Sequence, residues 1–509
     1  MRAILSVYDK TGIVELGKNL NSAGLGLIST GGTYKQLLDA NISVTPVQEI
    51  SDFPEILDGR VKTLHPKIYG GLLARRDNAH DLSEIAKHGI SSIDLVAVNL
   101  YPFAEAIAIP DSTLENALEN IDIGGPSMLR AAAKNFKDVV VIVDPNDYEW
   151  IANLISQNGL NGISFDDRKY LAYKAFDHVS RYDRIISDYL CENKKNDQDE
   201  LTLNLKKLLT LRYGENPHQK AVLYRHPDST TGIANAKKLH GKELSFNNIL
   251  DADAAWRIVS DFTENAAVVV KHNNPCGLAL HETQSVAYER AFQGDPVSAY
   301  GGILGFNQTV NLKTAKSFKS VFFEVIVAPA YDQDALEFLT KRKNLRILNV
   351  EPENNPTWSK DMRNISGGAL IQQIDQKQAD PNTWSVVTKK KPTKKQLRDL
   401  AFAWTAVKHV KSNGIVLAKD NKLLGMGSGQ PNRLNSIHLA IRAAGKDSLG
   451  SVLASDAFFP FADNIEMASN AGVSALIQPG GSIRDEETIE AANTLGLTMV
   501  FTHIRHFKH

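Results

Sequence analysis

The chain has 509 residues, 43% hydrophobic and 23% charged, an ordinary globular composition with room for roughly two to four domains. Its 57 basic and 58 acidic residues leave a net charge of -1, so no basic field supports a nucleic-acid role. Two cysteines, Cys191 and Cys276, exclude a disulfide scaffold and a Cys-based zinc cluster and fit a reducing, cytoplasmic setting; no apolar run suits a membrane helix or a signal peptide.

In chain order, Ala3–Val7 (AILSV) reads as a strand, and Gly12–Ala23 as a helix with Ile13, Leu16 and Leu20 on one face. Leu25–Ser29 reads as a second strand, followed at once by STGGT, residues Ser29, Thr30, Gly31, Gly32 and Thr33. Glycines and hydroxyls opening a helix can cradle an anion, although a plain tight turn with a Ser/Thr cap has the same pattern. Arg60-Val61-Lys62-Thr63-Leu64-His65-Pro66 packs two cations, a hydroxyl and an imidazole into a few residues, which suits a phosphate or a solvated loop. Ile93–Leu100 is a third strand, with Tyr101 just past its end as packing or as a functional phenol. Asp122 stands between two isoleucines before Gly124-Gly125, as a helix cap or as an acid–base group with a perturbed pKa. Lys134 closes the small-residue helix that follows, and Val139–Val143 is a further strand. Strands alternating with helices predict a parallel α/β sheet, with ligands beyond the carboxyl ends of its strands.

The charged run Glu192–Glu200 reads as a domain linker. Beyond it, Val268–Val270, Gly302–Phe306, Val325–Ala328, Ile415–Ala418, Ser451–Ala454 and Leu497–Phe501 are strand candidates, again predicting α/β architecture. VVVKHNNPCG (Val268–Gly277) ends an apolar run in a cation and an imidazole, Lys271-His272, which suits a place where a ligand is held and deprotonated. Polar loops beside other strands, LRYGENPHQ, GDPVSAYGG, SNGIVLA, GMGSGQPNR and SDAFFPFADN, mark further functional candidates. Lys389–Lys395 (KKKPTKK) reads as a solvated connector, or as a rim for an anionic ligand. Of the 14 histidines three crowd the terminal HIRHFKH, yet neither HExxH nor paired CxxC spacing occurs, so no metal is expected. Cys276, behind a proline, reads as a small buried hydrophobe rather than a nucleophile.

Taken in order, SVYDKTG, STGGT, RVKTLHP, NLYPF, IDIGGPSMLRAAAKN, LRYGENPHQ, VKHNNPCG, GDPVSAYGG, SNGIVLA, SDAFFPFADN and the RHFKH tail resemble one family across nearly the whole chain. It is the bifunctional purine-biosynthesis family joining 5-aminoimidazole-4-carboxamide ribonucleotide (AICAR) formyltransferase to inosine monophosphate (IMP) cyclohydrolase. The resemblance implies a methylglyoxal-synthase-like parallel-sheet domain over residues 1–195 that closes the purine ring. It implies a formyltransferase domain over 196–509, built of two cytidine-deaminase-like α/β subdomains without the zinc ligands. Family phosphate contacts fall on Ser6, Lys10, the Ser29–Thr33 loop, Arg60 and Thr63, and cyclisation residues on Lys62, Tyr101, Asp122 and Lys134. AICAR contacts fall on Arg212, Tyr213, His218, Asn248, Lys271, Glu324 and Arg505; folate-side and catalytic positions fall on His272, Asn413, Phe458 and Asp463. Tyr8 departs from a small hydroxyl residue in relatives, and Glu324 stands where some carry Asp. The implied ligands are AICAR, formyl-AICAR, IMP and 10-formyltetrahydrofolate as cosubstrate, with no metal, and the implied assembly is a homodimer with formyltransferase sites built across its interface.

The formyl acceptor is an aromatic amine conjugated to a carboxamide, a poor nucleophile that needs a base at the moment of attack. His272 offers one, Asn413 can donate to the developing oxyanion, and two large substrates must be positioned together. Two rival readings stand beside this one. A single-activity nucleotide deaminase or hydrolase would want zinc ligands, whereas a non-catalytic nucleotide-binding regulator accounts for STGGT and RVKT but not for Lys271-His272, Asp122 and Lys134 together.

Overall fold

The computed structural model describes residues 1–191, 201–227, 229–352 and 360–509. The run 192–200 read as a linker, and with it the expected boundary between 195 and 196, lies outside the described residues. Those described divide into two compact units, Met1–Thr202 and Leu203–His509.

In the first unit, β1 (Arg2–Ser6), β2 (Gly26–Ser29), β3 (Val44–Pro46), β4 (Leu95–Val98) and β5 (Val140–Ile142) form a sheet of order β3-β2-β1-β4-β5. Every neighbouring pair is parallel. The strands are short and almost wholly apolar, as a sheet covered by helices on both faces demands. Ile13, Leu16 and Leu20 are buried on the helix Ile13–Ser22, as their spacing predicts. The chain order steps outward from β1 in both directions, so the switch point lies between β1 and β4. There loops from the carboxyl ends of β1, β2 and β4 converge.

The second unit contains a separate antiparallel pair, β6 (Lys206–Leu211) and β7 (Ala221–Arg225), and a sheet of 12 strands. One half of that sheet comprises β8 (Lys237–His240), β9 (Ala266–Lys271), β10 (Asn274–Leu280), β11 (Ile303–Phe306), β12 (Val325–Ala328) and β13 (Arg346–Asn349). A two-stranded hairpin, β14 (Lys360–Ile365) and β15 (Gly368–Gln373), intervenes. The other half comprises β16 (Ser385–Val386), β17 (Ile415–Lys419), β18 (Lys422–Gly427), β19 (Val452–Ser455), β20 (Ala475–Gln478) and β21 (Thr498–Phe501). The order is β16-β21-β20-β19-β17-β18-β10-β9-β11-β12-β13-β8.

This order reads the same outward from its centre. On each side of the antiparallel β10–β18 seam come a hairpin, three parallel strands and one antiparallel edge strand. Each hairpin follows a helix, Phe246–Ser260 or Lys394–Val407, and each helix starts with a capping box, at Ser245 or Thr393. The unit is therefore an internal duplication about a pseudo-twofold axis through the seam. One core lies under both helices and spans the halves, with Phe262 against Phe402, while each half has its own core on the opposite face. Asp261 and His409, equivalent in the duplication, meet at 2.6 Å, and Lys408 reaches Asp261 at 2.7 Å. The KKKPTKK connector ends in this second half: Lys394 and Lys395 already belong to the helix Lys394–Val407.

Candidate active sites

In the first unit, Ser6 closes β1 and Ser29 closes β2, and the helix Gly31–Asp39 starts directly after Thr30. The hydroxyls of STGGT are largely committed to the protein. Ser29 Oγ donates to Leu5 O at 2.6 Å, and Thr33 Oγ1 donates to Val7 O and accepts from Val7 N. Thr30 Oγ1 bonds Ser6 Oγ at 2.8 Å. What the motif leaves for an anion is the first turn of backbone N–H groups and the positive end of the helix. Lys10 lies alongside: a Cβ on Gly32 would stand 3.7 Å from its Nζ. Asn99, just past β4, fixes this corner by accepting from the Tyr8 and Asp9 amides at 2.6 and 2.9 Å.

Asp122 is the other focus. Its Oδ1 accepts from Gly125 N at 2.8 Å, capping the helix Gly124–Lys134, and its own N–H donates to Tyr182 Oη at 2.8 Å. Both glycines are required by close approach. A Cβ on Gly125 would lie 2.5 Å from Asp122 Oδ2, and one on Gly124 would lie 2.7 Å from Thr63 Oγ1. Burial raises the Asp122 carboxyl above the usual range, against the pull of the Gly125 amide, Lys62 and the Tyr101 and Gly124 amides. The same contacts place Lys62, Thr63 and Tyr101 around it. Tyr101 is exposed and meets Tyr8 edge-on at 5.7 Å. Arg60 pairs with Glu119 at the surface.

Lys134 stands at the far end of the helix that Asp122 precedes. It is the last, exposed residue of the helix Gly124–Lys134, about 15 Å along the helix axis from Gly124 at ~1.5 Å per residue.

In the second unit, VVVKHNNPCG spans the end of one strand, a turn and the start of the next, a hairpin. β9 stops at Lys271, β10 starts at Asn274, and His272 and Asn273 are the two turn residues, with φ of 53° and 60°. Two left-handed residues make a turn whose twist matches the flanking strands. His272 is thereby lifted to an exposed tip while Val268–Val270 stay fully buried. Lys271 Nζ donates to Tyr300 O at 2.8 Å. Glu324 stands just before β12 and accepts from Asn248 Nδ2 at 2.8 Å, with Arg346 3.9 Å away. Asn247 donates to Glu215 O at 3.4 Å, which lays the loop bearing Arg212, Tyr213 and His218 beside the helix Phe246–Ser260. Cys276 is inert, since burial pushes its thiol up to about 12.

Asn413 precedes β17, so it and Glu324 sit at amino ends of strands, unlike the carboxyl-end rule that holds in the first unit. Asn413 Nδ2 donates to Gln430 O at 2.8 Å, and its Oδ1 accepts from Arg433 Nη2 at 2.7 Å. Arg433 is buried against Asp456 at 2.5 Å, and Asp456 Oδ2 also accepts from Gly414 N and Ser412 Oγ. The two clusters are joined. Asn274 Nδ2 donates to His272 O at 2.8 Å, Ser428 Oγ and Asn274 Oδ1 lie 2.9 Å apart, and Gln430 Nε2 donates to Ser428 O at 3.2 Å. The tail returns to the same place. Ser412 N donates to Lys508 O and His506 N to Asp456 O, which brings Arg505 alongside. Phe458 is half-exposed two residues beyond Asp456, and Asp463 starts the helix Asp463–Asn470.

The supporting residues Asn99, Tyr182, Asn274, Arg433 and Asp456 escaped sequence reasoning, although all but Tyr182 lie inside or beside the motifs quoted. Among the described residues no group of three or more His, Cys, Asp or Glu side chains gathers as a metal site would require, and no helix is long and apolar enough to cross a membrane.

Residues 12–127 match the family model of the MGS-like domain, and residues 132–443 match that of the AICARFT/IMPCHase bienzyme. Among curated proteins, the "Bifunctional purine biosynthesis protein PurH" of Oceanobacillus iheyensis is 50% identical over 510 residues, covering 100% of this chain and 99% of its own length. The protein of that name from Dictyostelium discoideum is 50% identical over 544 residues, covering 100% of both. That of Thermoanaerobacter sp. (strain X514) is 51% identical over 509 residues, covering 100% of this chain and 99% of its own.

Proposed function

The chain belongs to the AICARFT/IMPCHase bienzyme family, and on that premise we propose how its residues divide two reactions between two units. The enzyme is bifunctional and performs the last two steps of IMP synthesis, formylation of AICAR and dehydrative closure of formyl-AICAR. Neither a lone deaminase nor a non-catalytic regulator accounts for the match to bifunctional relatives over the whole length.

Formyl transfer takes place in the formyltransferase domain, residues 196–509, which contains the second unit. The AICAR amine attacks the formyl carbon of 10-formyltetrahydrofolate, His272 takes the amine proton, and the carbon–nitrogen bond to the folate breaks with a proton delivered to the leaving nitrogen. A general base at this step contributes about 10²–10⁴-fold. The exposed turn suits His272, because two large substrates must reach it. Lys271 supplies positive charge, and Asn413, with one amide N–H on Gln430 O and a second to give, stabilises the oxyanion. Arg212, Tyr213, His218, Asn248, Glu324 and Arg505 hold AICAR, and Phe458 and Asp463 line the folate side.

Cyclisation takes place in the cyclohydrolase domain, residues 1–195, within the first unit. The phosphate rests on the amides of Thr30 to Thr33, flanked by Ser6, Lys10, Arg60 and Thr63. Release of Arg60 from Glu119 accompanies binding. The carboxamide nitrogen attacks the formyl carbon and water leaves, with Asp122, Lys62 and Tyr101 moving protons and stabilising the oxyanion. The carboxyl raised by burial beside Lys62 is the observation that carries this assignment, because a weaker acid makes a stronger conjugate base. Lys134, at the exposed end of the helix Gly124–Lys134, is a further proton carrier of this step.

The enzyme works in the cytoplasm as a homodimer without a metal. The test is an absorbance assay with AICAR and 10-formyltetrahydrofolate, followed by chromatography. Tetrahydrofolate release followed by IMP is expected, and release of ammonia from AICAR would instead support a deaminase.

A further inference from the structure

The duplication in the second unit places a second hairpin in the sheet with the same scaffolding as the one that carries His272. Lys419 closes β17 as Lys271 closes β9, and Lys419 Nζ donates to Leu449 O at 2.9 Å as Lys271 Nζ does to Tyr300 O. Asp420 and Asn421 form its turn, with φ of 55° and 53°. One support is common to both tips. Asp251 Oδ1 accepts from Asn273 N at 2.7 Å, and Asp399 Oδ1 accepts from Asn421 N at 2.8 Å. Asp251 and Asp399 occupy the same turn of the equivalent helices, three residues after the capping-box partners Asn248 and Gln396. The Asn273 side-chain amide, in its hydrogen-bonded orientation, also donates to Asp251 Oδ1 at 3.2 Å. Left-handed backbone is uncommon outside glycine, and two such residues in succession at the tip gain from a partner that fixes them from outside.

We propose that Asp251 is a positioning residue for formyl transfer: its carboxylate fixes the Asn273 amide and so aims His272 from the hairpin tip. It acts through the turn and touches neither substrate. This rests on the reading of His272 as the base. The duplication supplies the control, because Asp399 makes the same bond to a turn that holds no imidazole.

The experiment compares full-length Asp251→Ala, Asp399→Ala and His272→Ala, measuring both activities and thermal stability. Asp251→Ala is expected to lower kcat for formyl transfer at least tenfold, to leave KM for AICAR within about threefold, and to leave cyclisation unchanged. Asp399→Ala is expected to lower Tm by a similar amount with kcat within twofold. Asp251→Asn, which keeps an acceptor oxygen, should fall between wild type and alanine in kcat. Should an alanine variant not fold, Asp251→Asn and Asp399→Asn carry the same comparison. Equal kcat for the Asp251 and Asp399 variants, with His272→Ala inactive, overturns the positioning role alone. Full formyl transfer by His272→Ala overturns the base assignment, and the positioning role with it.

Discussion

The two proposed sites place their key group in opposite surroundings. In the first unit the group is a carboxyl, Asp122, sunk behind a helix cap and pushed upward by burial. In the second it is an imidazole on an exposed turn, and the buried ionic machinery, Arg433 and Asp456, stands behind Asn413 instead. The difference follows from molecularity. Ring closure needs one bound molecule, a proton carrier and little water. Formyl transfer needs an open tip that two large ligands can approach, so rigidity must be supplied from beneath.

The contrast is sharpest in the two key groups themselves. His272→Ala should lower formyl transfer by about 10²–10⁴ and leave cyclisation alone, and Asp122→Asn should do the reverse, as separate assays with AICAR and with formyl-AICAR will read. Arg433→Met tests the buried support. It strands Asp456 without its cation, and should cost about 3–5 kcal/mol of stability in denaturant melts together with most of the formyl-transfer rate. Acidification tests the seam between the halves. Burial pushes His409 down to about 4 despite its bond to Asp261, while His409 and Lys408 hold Asp261 near 2 against its own burial. Between about pH 6.5 and 4 the unfolded chain takes up a proton at this histidine that the folded chain refuses. The stability it contributes is therefore full above pH 6.5 and is lost on the way down, by on the order of 3 kcal/mol. His409→Gln should flatten this part of the Tm-against-pH curve; an unchanged slope would remove His409 as its cause. Tyr8→Ser is the mildest change. It removes the edge-on contact to Tyr101, worth about 0.5–1.5 kcal/mol, and should alter cyclisation only several-fold.

Much of this was legible in the sequence where the signal is local. Apolar runs marked β1, β2, β4, β5, β9, β11, β12, β17, β19 and β21 to within a few residues, and STGGT does bridge a strand and a helix. β10 was missed because Pro275 and Gly277 interrupt it, and the sheet accommodates them with an irregularity in register at that point. The duplication was hidden because what the halves share is backbone: equivalent turns carry His272 in one and Asp420 in the other. Arg433, Asp456 and Asp251 carry no local signature, since their partners lie far along the chain. Motif reading also does not show that Ser29 and Thr33 hold the loop to the sheet, their hydroxyls bonded to Leu5 and Val7.

The central claim is that each unit completes its own reaction, and mixing the two inactive enzymes tests it most directly. His272→Ala and Asp122→Asn should each fail to convert AICAR and 10-formyltetrahydrofolate to IMP. Together they should form IMP, because formyl-AICAR released by Asp122→Asn is closed by His272→Ala. A mixture that remains inactive although each variant keeps its remaining activity in a separate assay would contradict the account.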